Sequence, residues 1–430
     1  MLTKSVMKRV TIDPKMFIHE PYTQCPKCSK GDFGILNINA TSYSKRCKSC
    51  WYKDSYKIPR PEKQVLLLDQ FFLSQLAFIK NASLGKSDKV GQFYKAALEK
   101  LELLIEAQML ICPYAQSHEE ESSMAHGYAP YLKELYKSFS SDTSFSFFSL
   151  IEQFQVQDYF PQWLSDKSTP YKHGLSKYNF LHGNGLSWHQ WYYISVDRQW
   201  KEEYTESIRT SREVIYEGMT DVFQHWKREK HKQFKNWYEA EAIIVGPFFQ
   251  KRYSETLVEL NNGIVNYPFP PEYIAVIALK GQIKSTDDFI EQMKIISEYL
   301  HSSAFLQLPY ISLQSALWAT IAHEAAHTTK SDPPNKGMTM DITTVSRLFP
   351  YCDAMFVDKG LHQYLLFPQV KKITDQYPTQ VFSLRNQSEF LAYLDNMILS
   401  IKDEHLKVIQ ELYGSRIVDK IQKYQMSLQT

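Results

Sequence analysis

Four cysteines and a small set of acids carry the chemistry written into this sequence. Cys25-Pro-Lys-Cys28 and Cys47-Lys-Ser-Cys50 are paired CxxC knuckles separated by 18 residues, which include Gly31, Gly34 and a strand-like Ile35-Leu-Asn-Ile38. Soft thiolates at this spacing close a tetrahedral zinc site with no open position, as in a zinc ribbon, so the expected metal is structural.

Val65-Leu-Leu-Leu-Asp69 and Ala354-Met-Phe-Val-Asp358 are continuous apolar runs, each ending in an aspartate. A run of four with no polar alternation suits a strand covered on both faces, as in a parallel sheet, and the carboxyl edge of such a sheet is where α/β sites assemble. Two buried strands ending in aspartate imply a carboxylate cluster. Asp341 opens the helix expected before the second strand, where it also reads as an N-cap. Acids brought together without a cation repel one another, so a cluster implies Mg²⁺ or Mn²⁺, hard ions that prefer carboxylate oxygens.

The phrases around these aspartates, "VLLLDQFFLSQL" and "MTMDITTVSRLFPYCDAMFVDKGLHQYL", with "MLICPYAQSHEEES" between them, resemble PIN-like nuclease domains. The likeness is to a bacterial group with "YLDQ"-type and "PYCDAMFVD"-type motifs, and it covers residues 63–125 and 305–400. It implies an α/β/α sandwich around a parallel sheet and a divalent-metal site that hydrolyses RNA. Glu121 matches the glutamate of the family's motif, a metal ligand there, so the implied catalytic and metal-binding set is Asp69, Glu121, Asp341 and Asp358. Held against a phosphodiester, the cation orients the ester, lowers the pKa of a bound water and offsets transition-state charge. Asp353 belongs to the same motif, but five strand residues at about 3.3 Å each put it too far from Asp358 to share an ion, which predicts a structural or supporting role. Ser74, one turn past Asp69, is placed to orient that carboxylate or simply to pack. Ser117 and Glu120 fit a capping box, and His118 reads as a polar surface histidine.

A competing motif lies in the helix expected over 312–329. His323-Glu-Ala-Ala-His327 fits the HExxH pattern of zinc metalloproteases, in which the histidines share a metal and Glu324 is the general base. Leu313, Leu317, Ile321 and Ala325 form an apolar stripe, and at about 100° per residue the histidines point away from it, in line with Lys330, as on a solvated face. No third ligand follows closely, Glu389 being the conceivable one. The protease is the alternative reading, and a catalytically inactive nucleic-acid-binding protein is a third.

The surrounding elements set the frame. At 430 residues the chain exceeds a typical single domain, and 43% apolar with 14% aromatic residues argue against disorder. Two prolines, Pro59 and Pro61, mark a linker. The expected layout is a zinc ribbon and linker at 1–62, a three-layer α/β/α PIN-like core at 63–125 and 305–400, a helical insertion at 126–304, and a C-terminal helix at 401–430. The insertion holds Trp163, Trp188, Trp191, Trp200, Trp226 and Trp237, and its charged stretch 202–235 reads as a solvated amphipathic helix. A first helix after Asp69 is expected to end at a turn over 81–85. Residues 1–60 hold 12 Lys/Arg against 4 Asp/Glu, while the whole chain is only +2, so the N-terminal segment is the expected contact for nucleic acid, RNA by the resemblance. A second copy or a regulatory protein remains open as a further partner. No long apolar run or leader pattern points to a membrane or to secretion, and six cysteines, four at metal spacing, suit a reducing, cytoplasmic interior.

Overall fold

The structure is a computed structural model that describes residues 13–81, 91–124, 127–168, 170–172, 174–183, 185–190, 202–266, 268–328 and 332–429. Trp191, Trp200, Lys330 and the turn at 82–85 lie outside the described residues. Four short strands come first, β1 (His19–Thr23), β2 (Phe33–Ile38), β3 (Ser42–Cys47) and β4 (Lys53–Lys57), antiparallel in that order. Next, β5 (Gln64–Leu68) leads through α1 (Gln70–Lys80) and α2 (Gln92–Glu106) to β6 (Leu110–Ile111), followed by α3 (Gln116–Met124) and α4 (Ala129–Ser140).

The middle of the chain pairs β7 (Ser144–Phe145) with β8 (Leu181–His182) around α5 (Phe148–Ser165), then runs as α6 (Glu202–Arg228), α7 (Phe234–Ile243), α8 (Val245–Asn261), α9 (Pro271–Gln282) and α10 (Phe289–Leu300). Its helices α5 and α8–α10 close on a core of their own that includes Tyr159, Phe160, Trp163, Tyr299 and Phe305. The chain then returns through α11 (Pro309–His327), α12 (Met338–Leu348), β9 (Ala354–Phe356), α13 (Lys359–Leu365), α14 (Pro368–Thr374), β10 (Gln380–Phe382) and α15 (Gln387–Leu399). It ends in α16 (Asp403–Tyr413) and α17 (Ser415–Gln429). These are two helices where one was expected, because Gly414 takes a left-handed φ of +86° that only glycine adopts freely.

The main sheet is parallel throughout, in the order β10-β9-β5-β6. Its strands alternate between two apolar faces. Leu66, Leu68, Ala354 and Phe356 face α1, α2 and α15, where Phe356 meets Phe72 at 4.5 Å and Phe390 at 4.9 Å between ring centroids. Val65, Leu67, Met355 and Val357 face α11, α12 and α13 through Leu317, Ile321, Ile342, Val345 and Leu361. Two buried faces explain why the strands read as unbroken apolar runs, each such side chain contributing about 1.5–3 kcal/mol of burial. The architecture is therefore α/β, with helices covering both sides of a parallel sheet.

Helix α11 departs from its expected form. Nearly every residue from Pro309 to Ala322 is buried, not only the Leu-Ile-Ala stripe, because α6, α7, α12 and α14 pack round it. Small residues such as Ala316, Ala319 and Ala322 let these neighbours approach on all sides. Helix α6, expected to be solvated, buries Phe223 and Trp226 in the same cluster. Among the described residues no helix is long and apolar enough to cross a membrane.

The N-terminal sheet shares its apolar face with the main core. Ile35, Ile38, Tyr43 and Ile58 are continuous with Leu66, Phe72, Leu406 and Ile409, and the Tyr43 hydroxyl donates to Glu411 of α16 at 3.1 Å. Cys25→Ser is therefore expected to lower the thermal transition of the whole chain as a single event. A separate early transition confined to residues 1–60, seen by hydrogen exchange, would contradict that coupling.

Candidate metal centres

The cysteine site is built by two equivalent turns. Ser29 N–H donates to Cys25 C=O at 2.9 Å and Trp51 N–H to Cys47 C=O at 3.1 Å, and Ser29 and Trp51 both take left-handed φ values, 58° and 60°. Each knuckle thus folds its two sulfurs inward. Cys25 Sγ lies 3.6 Å from Cys50 Sγ, and Cys28 Sγ lies 3.6 Å from Cys47 Sγ. Zn–S bonds of about 2.3 Å give a tetrahedral edge of about 3.8 Å, while a disulfide needs about 2.05 Å, so these spacings match a shared ion and not a bond. Burial pulls the Cys25 thiol up, and hydrogen bonds from the backbone N–H groups of Cys28 and Lys27 and from the Cys50 and Cys28 side chains together outweigh it, bringing it to about 7.

The acid site forms where the sheet changes direction. From β5 the chain crosses to β6 on one side, and β9 and β10 lie on the other, so the carboxyl ends of β5 and β9 border the switch point, the place where such sheets leave a crevice. Asp69 follows β5 directly. Its carboxylate accepts from Phe71 N–H at 3.1 Å and caps α1, while its own N–H donates to Phe356 C=O at 3.0 Å. Asp358 follows β9 and caps α13, accepting from the N–H groups of Gly360 and Leu361. Both caps use Oδ1, which leaves Oδ2 of each aspartate out of the cap bonds, at the positive ends of two helices.

Asp341 does not open its helix as expected and is not its N-cap. Helix α12 starts three residues earlier, at Met338, whose N–H donates to the Asn335 side chain at 2.8 Å. Asp341 therefore sits one turn inside, its carboxylate released from capping, and lines a narrow cleft with Asp69, Glu121, Gln70, Ser117, His118 and Thr344. Burial drives the Asp69 carboxyl up to about 7, with Glu121 and Asp358 adding repulsion. Asp341 is pushed well above its ordinary range by burial and then by Asp69, Glu121 and Asp358, against the pull of Arg212. Glu121 is also raised by burial, partly offset by Arg212. The carboxylates converge without closing on a point. Among the described residues the four cysteines are the one group of three or more such side chains whose ligand atoms all lie within 4.8 Å of one another.

Several polar groups round this cleft escaped the sequence reading. His118 is buried, 4% exposed, because its imidazole accepts from Ala115 N–H at 3.1 Å, stacks on Tyr136 at 5.5 Å and bonds the Leu68 carbonyl. Burial lowers its pKa to about 4, so it is a neutral brace between β5 and α3. The capping box expected of Ser117 and Glu120 does not form. Helix α3 begins at Gln116, whose amide donates to Glu120 at 2.9 Å. Arg212, carried in by α6, places Nη2 3.6 Å from Glu121 and 3.9 Å from Glu120. Ser74 donates to Gln70 C=O at 2.9 Å within its own helix and does not reach Asp69. Asp353 lies at the opposite end of β9, accepting from Val65 N–H and Lys177 at 2.6 Å each, which fixes it as a structural residue.

The HExxH histidines lie at the emerging end of α11. Their rings stack at 4.3 Å, one His327 ring nitrogen bonds His323 C=O at 2.9 Å, and Glu324 accepts from Tyr364 at 3.2 Å. His327 is exposed, while His323 is half-buried against Phe367. Glu389 is exposed on α15, accepting from Asn386 at 3.2 Å. Comparisons with protein-family models, with curated proteins and with solved structures find no match for this chain.

The raised carboxyls give a testable sign. A carboxyl whose folded pKa exceeds its unfolded value supplies stability that is full below about 4 and is lost as pH rises through the folded value. With zinc retained and no other divalent cation, Asp69→Asn is expected to melt with the parent near pH 4 and a few degrees above it once pH passes about 7. Equal melting at both ends, followed by calorimetry, would mean that Asp69 carries no such strain. The double change His323→Ala, His327→Ala is expected to cost about 0.5–1 kcal/mol and to leave bound zinc at the parent level by elemental analysis.

Proposed function

We propose that this chain is a metal-dependent ribonuclease with a PIN-like core, using Asp69, Glu121, Asp341 and Asp358 to hold Mg²⁺ or Mn²⁺. The observation that carries the reading is the convergence of these four carboxylates on the switch point between β5 and β9, with Asp69 and Asp341 forced above their ordinary range by burial and by repulsion from the other acids, and Glu121 raised by burial. An oxygen-only donor set of this charge fits a hard divalent cation, and soft metals would prefer the sulfurs of the ribbon. When bound, the cation lowers the pKa of a water and offsets charge on the phosphate. The protein's share is positional. The helix caps fix the rotamers of Asp69 and Asp358, and His118 and Tyr136 hold α3, and with it Glu121, against the end of β5.

The size of the cleft constrains the substrate. It offers about 30 Å³, where roughly 10–15 Å³ holds one water, so it admits ions and their waters and excludes a nucleotide. The polymer would therefore lie across the mouth with one phosphate turned inward. The basic N-terminal sheet supports such a partner. Trp51 is 40% exposed with the Arg46 guanidinium 5.1 Å from its ring centroid, the kind of stacking platform that bases use. Zinc in the cysteine site is structural on this reading.

Labelled RNA incubated with Mn²⁺ or Mg²⁺ tests the proposal. Cleavage is expected with either ion, and Asp69→Asn or Asp358→Asn is expected to lower it at least about 100-fold with folding retained. Cleavage that persists in both variants, or that needs no divalent cation, would remove the acid site from the reaction. Preference for single-stranded DNA over RNA would keep the chemistry and change the substrate.

A further inference from the structure

The cleft contains more donors than its acids need. Helix α6 brings Arg212 over Glu121 at 3.6 Å, too long for a hydrogen bond, and both Nε and Nη2 of that guanidinium are buried with no hydrogen-bond partner. Two neighbours share the condition. Thr344, 8% exposed and lining the cleft, has an unpartnered hydroxyl, and Gln70, also lining it, accepts from Tyr136 through Oε1 while its amide nitrogen has no partner. Buried polar groups are rarely left unmade, because each costs about 1–3 kcal/mol, so two on the cleft lining and a third beside its Glu121 point to a ligand that accepts hydrogen bonds and carries negative charge. Carboxylates alone would repel such a ligand.

These opposed demands are met if the arginine changes partner. We infer that Arg212 is the built-in counter-ion of the acid cluster, and that an entering divalent cation displaces it onto a phosphodiester oxygen, which the Gln70 amide and Thr344 hydroxyl also bind. This inference rests on the nuclease reading for the identity of the anion and deepens it by assigning the phosphate side of the site. Without a divalent cation, Arg212 answers part of the charge of Glu121 and Asp341. Once Glu121 and Asp341 face a divalent ion, the guanidinium is repelled from it and its fork of donors is free. A planar fork suits two phosphate oxygens, which a lysine could not match.

The consequence is a pair of effects with opposite signs, which loss of folding would not produce. Arg212→Gln removes a cation that competes with the metal, so Mn²⁺ alone, titrated calorimetrically into the zinc-loaded full chain, is expected to bind roughly tenfold tighter. The same variant is expected to cleave RNA at least about 100-fold more slowly at saturating Mn²⁺. Arg212→Lys keeps the charge and loses the fork, so its Mn²⁺ affinity is expected near the parent and its cleavage between the two. Unchanged or weaker Mn²⁺ binding in Arg212→Gln, or parent-level cleavage by it, would overturn the inference even with the parent an active nuclease. A parent that cleaves no RNA, with Mn²⁺ affinity still rising in Arg212→Gln, would sink the nuclease reading and leave the counter-ion role standing. Should Arg212→Gln fail to fold, Thr344→Val carries the test, with parent-level Mn²⁺ affinity and a raised KM for RNA expected. An unchanged KM there would remove the phosphate contact.

Discussion

Repulsion among buried carboxylates at the edge of a parallel sheet is the constraint to which the rest of the fold answers. Asp69, Glu121 and Asp341 all stand above their ordinary range, chiefly through burial, and Asp69 and Asp341 also through the charge of the neighbouring acids. Sequence-local forces do not place acids this way. Their crowding is enforced by strands that can only sit where they do, since β5 and β9 bury apolar residues on both faces and their register, Leu68 beside Phe356, brings the chain to Asp69 and Asp358 at the same edge of the sheet. The strain is held by the apolar layers, each buried side chain outweighing a fraction of it.

Three features soften the charge. Two helices present their N-termini to the crevice, and the aspartates that start them accept the free backbone donors there. Arg212 supplies a positive charge from a helix that belongs to the middle of the chain, so the long segment between the two halves of the sheet is more than an appendage. Helix α11 then links that segment to the sheet, packing against α6 and α7 on one side and α12, α13 and α14 on others. The cysteine site is chemically separate, yet its sheet packs into the same apolar core through Tyr43 and Ile38.

Much of this was legible in the chain, and the exceptions have physical causes. The cysteine spacing and the apolar runs before Asp69 and Asp358 could be read because both depend on local order. The helix start was misplaced at Asp341 because the chain enters the helix one turn earlier, through Asn335, and nothing in the local pattern ranks the two. His118 sits among glutamine, serine and glutamate, so it looks solvated, and its burial comes from Tyr136 and Leu68 across the fold. The all-round burial of α11 was hidden because alanine and serine are poor markers of a face, although they pack as closely as leucine. Arg212 gives no local signal at all, being one of several arginines on a charged helix. Gly414 between two amphipathic stretches was a readable break that the continuous charge pattern obscured.

The central claim is that the acid cluster is a divalent-cation site, and the most direct measurement of it is anomalous diffraction from crystals of the zinc-loaded chain soaked in Mn²⁺. One or two manganese peaks are predicted between Asp69, Glu121, Asp341 and Asp358, with zinc confined to Cys25, Cys28, Cys47 and Cys50. Manganese absent from the crevice at saturating concentration, or a second zinc between His323 and His327, would contradict the account.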